Sequence, residues 1–219
     1  MIEWQKIDTI LLDMDGTLLD LNFDNHFWQE FVPLKYARLH YMDIEDAKLE
    51  LSPRFKAMEG KLEWYCLDYW SQELQLNIAG LKQELSGLIA VHPHVTDFLE
   101  AVRSSGKRLI LVTNAHRDSL NLKMEKTCLH IFFDEIVCSH DFGMAKEQPG
   151  FWHVLQNKHT FEKQHTLLVD DSLPVLRSAR DFGIDHLILI NKPDSRQAPK
   201  KHITEFVGIE DFRELMPVL

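Results

Sequence analysis

The chain has 219 residues, of which 45% are hydrophobic and 26% charged, and its 34 acidic against 24 basic residues give a net charge of −10. These fractions are typical of a globular protein and exclude disorder along most of the chain, and the length fits one domain, or one domain that carries a smaller insertion. The acidic balance argues against binding of a nucleic-acid polymer, which needs basic surface, but it is compatible with a small anionic substrate wherever a site supplies local positive charge.

Signals for membrane insertion or secretion are not visible in the sequence. No run approaches the roughly 20 apolar residues that a membrane helix needs, and the opening segment MIEWQK has no basic stretch followed by an apolar one. The cysteines Cys66, Cys128 and Cys138 are far apart and show no metal-ligand spacing. Because such scattered cysteines disfavour a disulfide framework or a zinc site, we expect a cytoplasmic protein with no membrane partner.

The first predicted element is a buried strand over residues 9–13 (TILLD), whose continuous aliphatic run is typical of a strand covered on both faces. No convincing strand follows until after residue 95. The intervening sequence is helical in character, with stretches at residues 25–39, 44–73 and 81–89.

From residue 95 onward, predicted helices alternate with predicted strands. This alternation predicts an α/β fold with a doubly wound, Rossmann-like parallel sheet, and such sheets bind ligands beyond the carboxyl ends of their strands. The further strands are expected over residues 107–113, 135–139, 166–170 and 186–190, and the helices over 95–104, 120–128, 151–157 and 173–182.

A division into two domains follows from this pattern. We expect residues 21–94 to form an α-helical cap, inserted after the first strand and placed over the carboxyl edge of the sheet. Residues 1–20 and 95–219 then form the α/β core domain.

Reactive side chains follow the carboxyl ends of four predicted strands. Because those ends lie along one edge of a parallel sheet, we expect the side chains to meet there. They are Asp13, Asp15 and Gly16 (in DMDGTL), Thr113 and Asn114, Lys146, and Asp170 and Asp171.

The residue types at this edge suit phosphoryl transfer. Asp13 is suited to attack a phosphorus atom whose charge a cation neutralises, which gives an aspartyl-phosphate. Asp15 is suited to protonate the leaving alcohol and later to deprotonate water. Gly16 permits a tight turn whose N–H groups can point at phosphate oxygens, and Thr113 with the N–H of Asn114 suits the same phosphoryl group.

The remaining charges suit a metal-assisted site. Lys146 would offset the negative charge where so many carboxylates meet. Asp170 and Asp171, together with Asp13, supply the hard oxygen ligands that Mg²⁺ prefers. A metal ion there would hold the phosphate against the nucleophile.

Four segments of the sequence, in their order along the chain, closely resemble the four motifs of the haloacid dehalogenase-like (HAD) superfamily. They are DxDGTL at residues 13–18, Thr113, Lys146 and the aspartate pair at residues 170–171. The resemblance covers the whole predicted core, and the helical insertion matches members that carry a helical cap. Many members follow the lysine directly with proline, whereas here the run is KEQP, a departure that concerns the local helix start more than the role of the lysine.

The resemblance implies specific roles for these residues. Asp13 is the expected nucleophile and Asp15 the acid/base, and because the dehalogenase branch lacks the second aspartate, Asp15 favours a phosphatase. The expected cofactor is Mg²⁺, held by Asp13, the backbone carbonyl of Asp15, and Asp171, with Asp170 as a second carboxylate.

A narrower resemblance concerns the substrate. The segments LLDMDGTLLDLNFDNHFW, WYCLDYW, LVTNAH and NKPDS are similar to the bacterial GMP/IMP nucleotidases of this superfamily. This implies a 5′-nucleotidase whose partner is a purine nucleoside monophosphate. Two alternatives stay open: a sugar-phosphate phosphatase or phosphomutase with the same core, and a non-catalytic phosphate-sensing or interaction module.

Several residues of the insertion have two interpretations. The aromatic group Trp64, Tyr65, Tyr69 and Trp70 could stack on a base, but its helical spacing favours burial in the core of the cap. Substrate contact is also one of two interpretations for Asn22, Phe23, Asn25, Arg54, Lys56 and Lys61. His116, after Asn114, has a surface or supporting role as the favoured interpretation and catalysis as the alternative.

Overall fold

The protein is described by a computed structural model that covers residues 2–200 and 204–218. Its strands are β1 (Thr9–Leu12), β2 (Arg108–Thr113), β3 (Glu135–Cys138), β4 (Thr166–Asp170), β5 (His186–Ile190) and β6 (Val207–Ile209). All of them pair in parallel in one sheet of order β3-β2-β1-β4-β5-β6. The predicted α/β class and parallel sheet are confirmed, with β6 as an additional edge strand.

Helices cover both faces of this sheet. They are α7 (Val95–Ser104), α8 (Arg117–Thr127), α9 (Pro149–Lys158) and α10 (Leu173–Phe182). Neighbouring residues of β1 face opposite sides, because Ile10 packs with residues of α7 and α8 and Leu11 packs with residues of α9 and α10. This double burial is why the strands are continuously aliphatic.

Two of these helices begin earlier than predicted. Helix α8 begins at Arg117 because the His116 side chain caps it, with Nδ1 accepting the N–H of Asp118 at 3.4 Å. Helix α9 begins at Pro149, where proline needs no N–H partner in the first turn. The departure from the family pattern after Lys146 is thus a shift of the helix start.

The insertion between β1 and α7 is helical, as predicted. It contains α1 (Asn22–His26), α2 (Val32–His40), α3 (Ile44–Lys56), α4 (Leu62–Tyr65), α5 (Leu67–Leu74) and α6 (Ile78–Glu84), and a π-helical turn at Phe27–Phe31 joins α1 to α2. The continuous stretch predicted over residues 44–73 is wrong. A turn with left-handed Gly60 (φ +77°) separates α3 from α4, and extended Cys66 separates α4 from α5.

The insertion has its own hydrophobic cluster. Its largest buried side chains include Phe27, Leu51, Trp70 and Ile78, and they pack on one another and not on the sheet. Burial of each such side chain contributes about 1.5–3 kcal/mol. The division at residues 21 and 94 stays a prediction, and this separate cluster supports it.

The two connections between the insertion and the sheet pair with each other. The N–H of Asp20 donates to the Ala90 carbonyl and that of His92 to the Leu18 carbonyl, both at 2.9 Å. These bonds bring the two ends of the insertion together beside the carboxyl end of β1. Within the described part of the chain, every helix is too short or too polar to cross a bilayer.

Candidate active site

A cavity of about 740 Å³ lies between the carboxyl edge of the sheet and the insertion. Its size is typical of small-molecule sites. The sheet side contributes Asp13, Asp15, Thr113, Asn114, Lys146, Asp170 and Asp171, and the insertion contributes Trp28, Phe55, Trp64 and Tyr65 among others. The structure therefore brings the chemically reactive residues that the sequence singled out to one place.

Lys146 lies between two carboxylates at the floor of this cavity. Its Nζ donates to Asp13 Oδ1 at 2.5 Å and to Asp170 Oδ2 at 2.7 Å, and also to the Val112 carbonyl at 3.0 Å. The side chain is only 2% exposed. Burial acts to lower the pKa of Lys146, but the two carboxylates outweigh it and raise the pKa above its usual value. The ammonium is therefore a fixed positive charge beside Asp13.

A short hydrogen-bonded chain holds the loop that carries Lys146. Its backbone N–H donates to Asn114 Oδ1 at 2.9 Å, and Asn114 Nδ2 donates to Glu147 Oε2 at 2.9 Å. The hydroxyl of Tyr65, from the insertion, donates to Glu147 Oε1 at 2.5 Å. Thr113 Oγ1 accepts the N–H of Ala115 at 3.0 Å. The side chain of Asn114 is thus a support for Lys146, and its backbone N–H is the part predicted to face phosphate.

Three carboxylates form the candidate metal centre. One oxygen from each of Asp13, Asp170 and Asp171 lies within 4.8 Å of the other two. Burial raises the pKa of Asp13 and of Asp171 to about 6, while Lys146 and Lys200 act in the opposite direction. Repulsion from Asp170 adds to the rise for Asp13, and repulsion from Asp13 adds to the rise for Asp171. A buried set of hard oxygen ligands with this excess of negative charge fits Mg²⁺.

Gly16 closes the turn that places Asp13 and Asp15. Its φ of +83° is left-handed, and an added Cβ would lie 2.8 Å from Asp171 Cγ, so only glycine fits. Its own N–H donates to the Leu19 carbonyl at 2.8 Å. Gly16 therefore shapes the turn, and contact with phosphate would fall to neighbouring N–H groups.

A buried chain of alternating charges holds Asp15, and the sequence analysis missed it. Lys123 Nζ donates to Asp15 Oδ1 and to Asp24 Oδ2, both at 2.6 Å, and Lys82 Nζ donates to Asp24 Oδ1 at 2.5 Å. Burial raises the pKa of Asp15 to about 6 against the pull of Lys123. Burial also acts to raise the pKa of Asp24, but the two lysines lower it well below its usual range.

The sequence contained a signal for these buried ion pairs. Lys123 lies on the same face of α8 as the buried Leu120 and Met124. A lysine that faces solvent is not expected on the apolar face of a helix. The side chain of Lys123 is only 1% exposed. A lysine within an apolar stripe thus marks a buried charge that needs a partner.

We expect Lys123→Met to destabilise the fold by about 3–5 kcal/mol, because it leaves buried carboxylates without their shared cation. Urea unfolding of the variant measures this change. Lys126→Met is the matched control, since Lys126 lies exposed on the same helix. Equal unfolding midpoints for the two variants would show that the ion pairs of Lys123 add nothing to stability.

The residues of the insertion divide between its core and the cavity. Trp70 is buried in the hydrophobic cluster, and Tyr69 packs against that cluster partly exposed. Trp64 and Tyr65 line the cavity. The interpretation as cap core therefore fits Trp70 and Tyr69, whereas Trp64 contacts both the cluster and the cavity, and Tyr65 lines the cavity.

The other ambiguous residues are also divided. Asn25 lines the cavity and donates from Nδ2 to Asp194 Oδ2 at 2.7 Å. Lys56 and His116 line the cavity too. Arg54 instead pairs with Glu50 at 2.5 Å on the helix surface. The exposed Lys61 and half-buried Asn22 are not in the cavity lining, and Phe23 is buried.

Comparison with known proteins identifies the family. The sequence model of the haloacid dehalogenase-like hydrolases matches residues 7–183, more than half of the chain. The GMP/IMP nucleotidase YrfG of Escherichia coli (strain K12) is 38% identical over 218 residues, which cover 100% of this chain and 98% of that protein.

More distant matches also extend along most of the chain. The 6-phosphogluconate phosphatase of Escherichia coli (strain K12) is 22% identical over 220 residues, covering 96% of this chain and 95% of that one. The crystal structure of a HAD phosphatase from Thermococcus onnurineus matches with a TM-score of 0.79 at 20% identity, covering 95% of this chain and 96% of that one.

Proposed function

Because this chain belongs to the haloacid dehalogenase-like hydrolases, we propose that it is a Mg²⁺-dependent purine 5′-nucleotidase that acts on GMP and IMP. Its phosphomonoesterase activity follows from the family and from the 38% identity to a nucleotidase along the whole chain. One observation carries the proposed reaction: Asp13 and Asp15 reach the same cavity as Lys146 and the aspartates at the end of β4.

Asp13 is the proposed nucleophile. Lys146 engages Oδ1, which orients the carboxylate and leaves Oδ2 to form the bond to phosphorus. The nucleoside 5′-oxygen leaves as its bond to phosphorus breaks, and an aspartyl-phosphate remains on Asp13. Lys146 stays protonated through this step and stabilises the negative charge that gathers at the phosphoryl oxygens.

Asp15 is the proposed acid and base. It gives its proton to the leaving 5′-oxygen and then takes one from a water molecule, whose oxygen attacks phosphorus and releases phosphate from Asp13. A pKa of about 6 suits both directions of transfer near neutral pH. Lys123 holds the carboxylate in place at 2.6 Å.

The acidic residues would hold the metal. Asp13, Asp170 and Asp171, with the backbone carbonyl of Asp15, are the proposed ligands of Mg²⁺, which when bound neutralises charge on the transferring phosphoryl group. Lys200, whose Nζ donates to the backbone carbonyl of Asp171 and lies 3.3 Å from its Oδ2, supports that aspartate from outside the carboxylate cluster.

The proposed cap provides the binding site for the leaving group. Trp28, Phe55 and Trp64 line the part of the cavity formed by the insertion. Aromatic faces stack on bases with about 1–3 kcal/mol per base, so this wall is the proposed platform for the purine. Tyr65, through its bond to Glu147, ties the cap to the loop of Lys146 and helps to exclude water.

We expect GMP and IMP to be hydrolysed faster than AMP, UMP and hexose phosphates in a phosphate-release screen with Mg²⁺. Trp64→Ala should raise KM for GMP by about 5–30-fold, which corresponds to the loss of about 1–2 kcal/mol of stacking, with little change for the hexose phosphates, whose leaving groups have no aromatic face. Tyr41→Ala is the matched control, because Tyr41 is an almost fully exposed aromatic residue of the same insertion. Equal rates for all of these substrates would make the protein a general phosphatase.

The alternatives differ in their products. A phosphomutase would yield an isomer in place of free phosphate, and a sugar-phosphate phosphatase, a class represented by the relative at 22% identity, would prefer the hexose phosphates of the same screen. A phosphate-sensing module would release no phosphate at all. The cytoplasmic location inferred from the cysteines stays a prediction.

A further inference from the structure

A second group of metal-ligating side chains lies outside the carboxylate cluster. Cys66, His116 and His140 each place one ligand atom within 4.8 Å of the other two, and all three residues are partly buried. We propose that this group, the Cys-His-His site, binds a transition-metal ion of the Zn²⁺ class, joins the helical insertion to the sheet, and lowers turnover when it is occupied.

The three ligands come from separate parts of the fold. Cys66 lies at the break between α4 and α5 in the insertion. His116 precedes α8 on the loop after β2, and His140 lies in the 3₁₀ turn Ser139–Phe142 after β3. Because the ligands are far apart in sequence, their spacing could not reveal the group. The site forms only where the insertion meets the carboxyl edge of the sheet.

One ring nitrogen of His140 lacks a hydrogen-bond partner among the described residues. Its Nε2 is shielded from solvent and has no hydrogen bond within the described ranges of the chain. The ring lies edge-on to that of His116, with the centroids 5.1 Å apart. Burial, assisted by His116, lowers the pKa of His140 and favours the neutral imidazole that metals bind. Coordination would satisfy an atom that otherwise stays unpaired.

Two carboxylates lie near the ring nitrogens of His116. Its Nε2 lies 3.6 Å from Asp68 Oδ2. Bonds of about 2.0–2.3 Å to a tetrahedral metal give ligand separations of roughly 3.3–3.8 Å. Asp68 lies near His116 but is not part of the three-residue cluster, so a water molecule would take the fourth position. The Nδ1 of His116 lies 3.8 Å from Asp118 Oδ2, which would accept the Nδ1 proton once Nε2 is coordinated. The long contact from the Asp118 N–H to Nδ1 would then be lost.

The chemical types of the ligand atoms determine which metal ion the Cys-His-His site prefers. One thiolate and two imidazoles, with water as the fourth ligand, fit tetrahedral Zn²⁺, whereas Mg²⁺ prefers oxygen ligands and is left to the aspartate cluster. Binding converts the Cys66 thiol to the thiolate and releases one proton to solvent. The two sites therefore differ in the metals that they prefer.

An effect on turnover follows from the position of the site. Cys66 follows Tyr65, whose hydroxyl bonds to Glu147 beside Lys146, and His116 lines the cavity. A metal that bridges Cys66 to the loop after β2 would hold the insertion against the sheet. Substrate entry and product release beneath a cap require movement of that cap, so occupancy should slow turnover. This effect rests on the phosphomonoesterase activity, whereas metal binding does not.

Cobalt reports the metal site without any assay of activity. We expect Co²⁺, added to the purified full-length protein in excess Mg²⁺, to produce a thiolate-to-cobalt charge-transfer band that Zn²⁺ then removes. Cys66→Ser should lose this band, while it keeps an N-cap for α5 because serine is a good capping residue. Cys128→Ser, at an exposed cysteine, is the matched control and should keep the band.

Zinc titration of p-nitrophenyl phosphate hydrolysis measures the effect on turnover. The Zn²⁺ concentration that inhibits wild type and Cys128→Ser should be at least about 10-fold lower than the concentration that inhibits Cys66→Ser. Even the loss of a residue that only hydrogen-bonds to a metal ligand weakens metal binding by about that factor. Zn²⁺ that replaces Mg²⁺ at the aspartates would affect all three proteins equally. Absence of the band in wild type, its persistence in Cys66→Ser, or equal zinc sensitivity of the three proteins overturns the proposal.

Discussion

Asp13→Asn should lower the rate of phosphate release from GMP by about 10⁴-fold or more, the scale on which other enzymes lose activity with their nucleophile. The amide has nearly the shape of the carboxylate but carries no charge, so it cannot form the aspartyl-phosphate. Lys146 would keep its bond to Asp170 at 2.7 Å. Because burial already raises the pKa of Asp13 to about 6, loss of its charge relieves a desolvation cost while it weakens one ion pair. We therefore expect a folded, inactive protein.

Steady-state phosphate release and circular dichroism together check this result. Asp8→Asn is the matched control, because Asp8 is an exposed aspartate just before the same strand and should keep full activity. A folded Asp13→Asn protein that retains more than about a tenth of the wild-type rate would remove Asp13 from the role of nucleophile, since loss of a true nucleophile costs far more.

Chelation of divalent metal by EDTA should lower turnover to below about one thousandth of its starting rate, and added Mg²⁺ should restore it. The three clustered carboxylates and a phosphate dianion repel one another, with Lys146 as the cation between Asp13 and Asp170. Two unit charges 4 Å apart interact by about 4 kcal/mol at an effective dielectric constant of 20. Loss of one such attraction in the transition state corresponds to about 10³-fold in rate.

The metal dependence can be assigned to the carboxylates by mutation. Asp171→Asn should raise the Mg²⁺ concentration needed for half-maximal activity by at least about 10-fold, because it removes one charged ligand of a hard cation. Asp181→Asn is the matched control, since Asp181 is exposed on α10. Full activity in EDTA, or the same Mg²⁺ requirement in both variants, would contradict the proposed metal centre.

In the insertion, the helices of the structure are shorter than the local sequence pattern predicts. The pattern over residues 44–73 is helical throughout, but extended Cys66 and left-handed Gly60 break it. Gly60 is a residue type that commonly ends helices, so the sequence carried a signal for the first break, whereas Cys66 carried none for the second. Trp70 is buried in the core of the insertion, while Trp64 packs against that core and also lines the cavity.

The buried ion pairs are a second feature that the sequence alone does not reveal. Asp24, Lys82 and Lys123 are residue types that usually face solvent, and sequence alone gives them that interpretation. They are buried because α1, α6 and α8 meet behind Asp15, an arrangement in which each charge has a partner. The same holds for Cys66, His116 and His140, whose proximity depends on how the insertion packs against the sheet.

By itself, the sequence determined the α/β class, the parallel sheet and the set of reactive residues at its edge. The reason is that strands buried on both faces must be continuously aliphatic, and parallel strands end at one edge, so residues such as Asp13, Lys146 and Asp170 had to converge. Only the tertiary structure decided two other features. One is the edge strand Val207–Ile209, since three residues are too few to form a recognisable pattern. The other is the set of partners of the buried charges. Those features arise from contacts between elements that are distant in the chain, and local periodicity carries no information about such contacts.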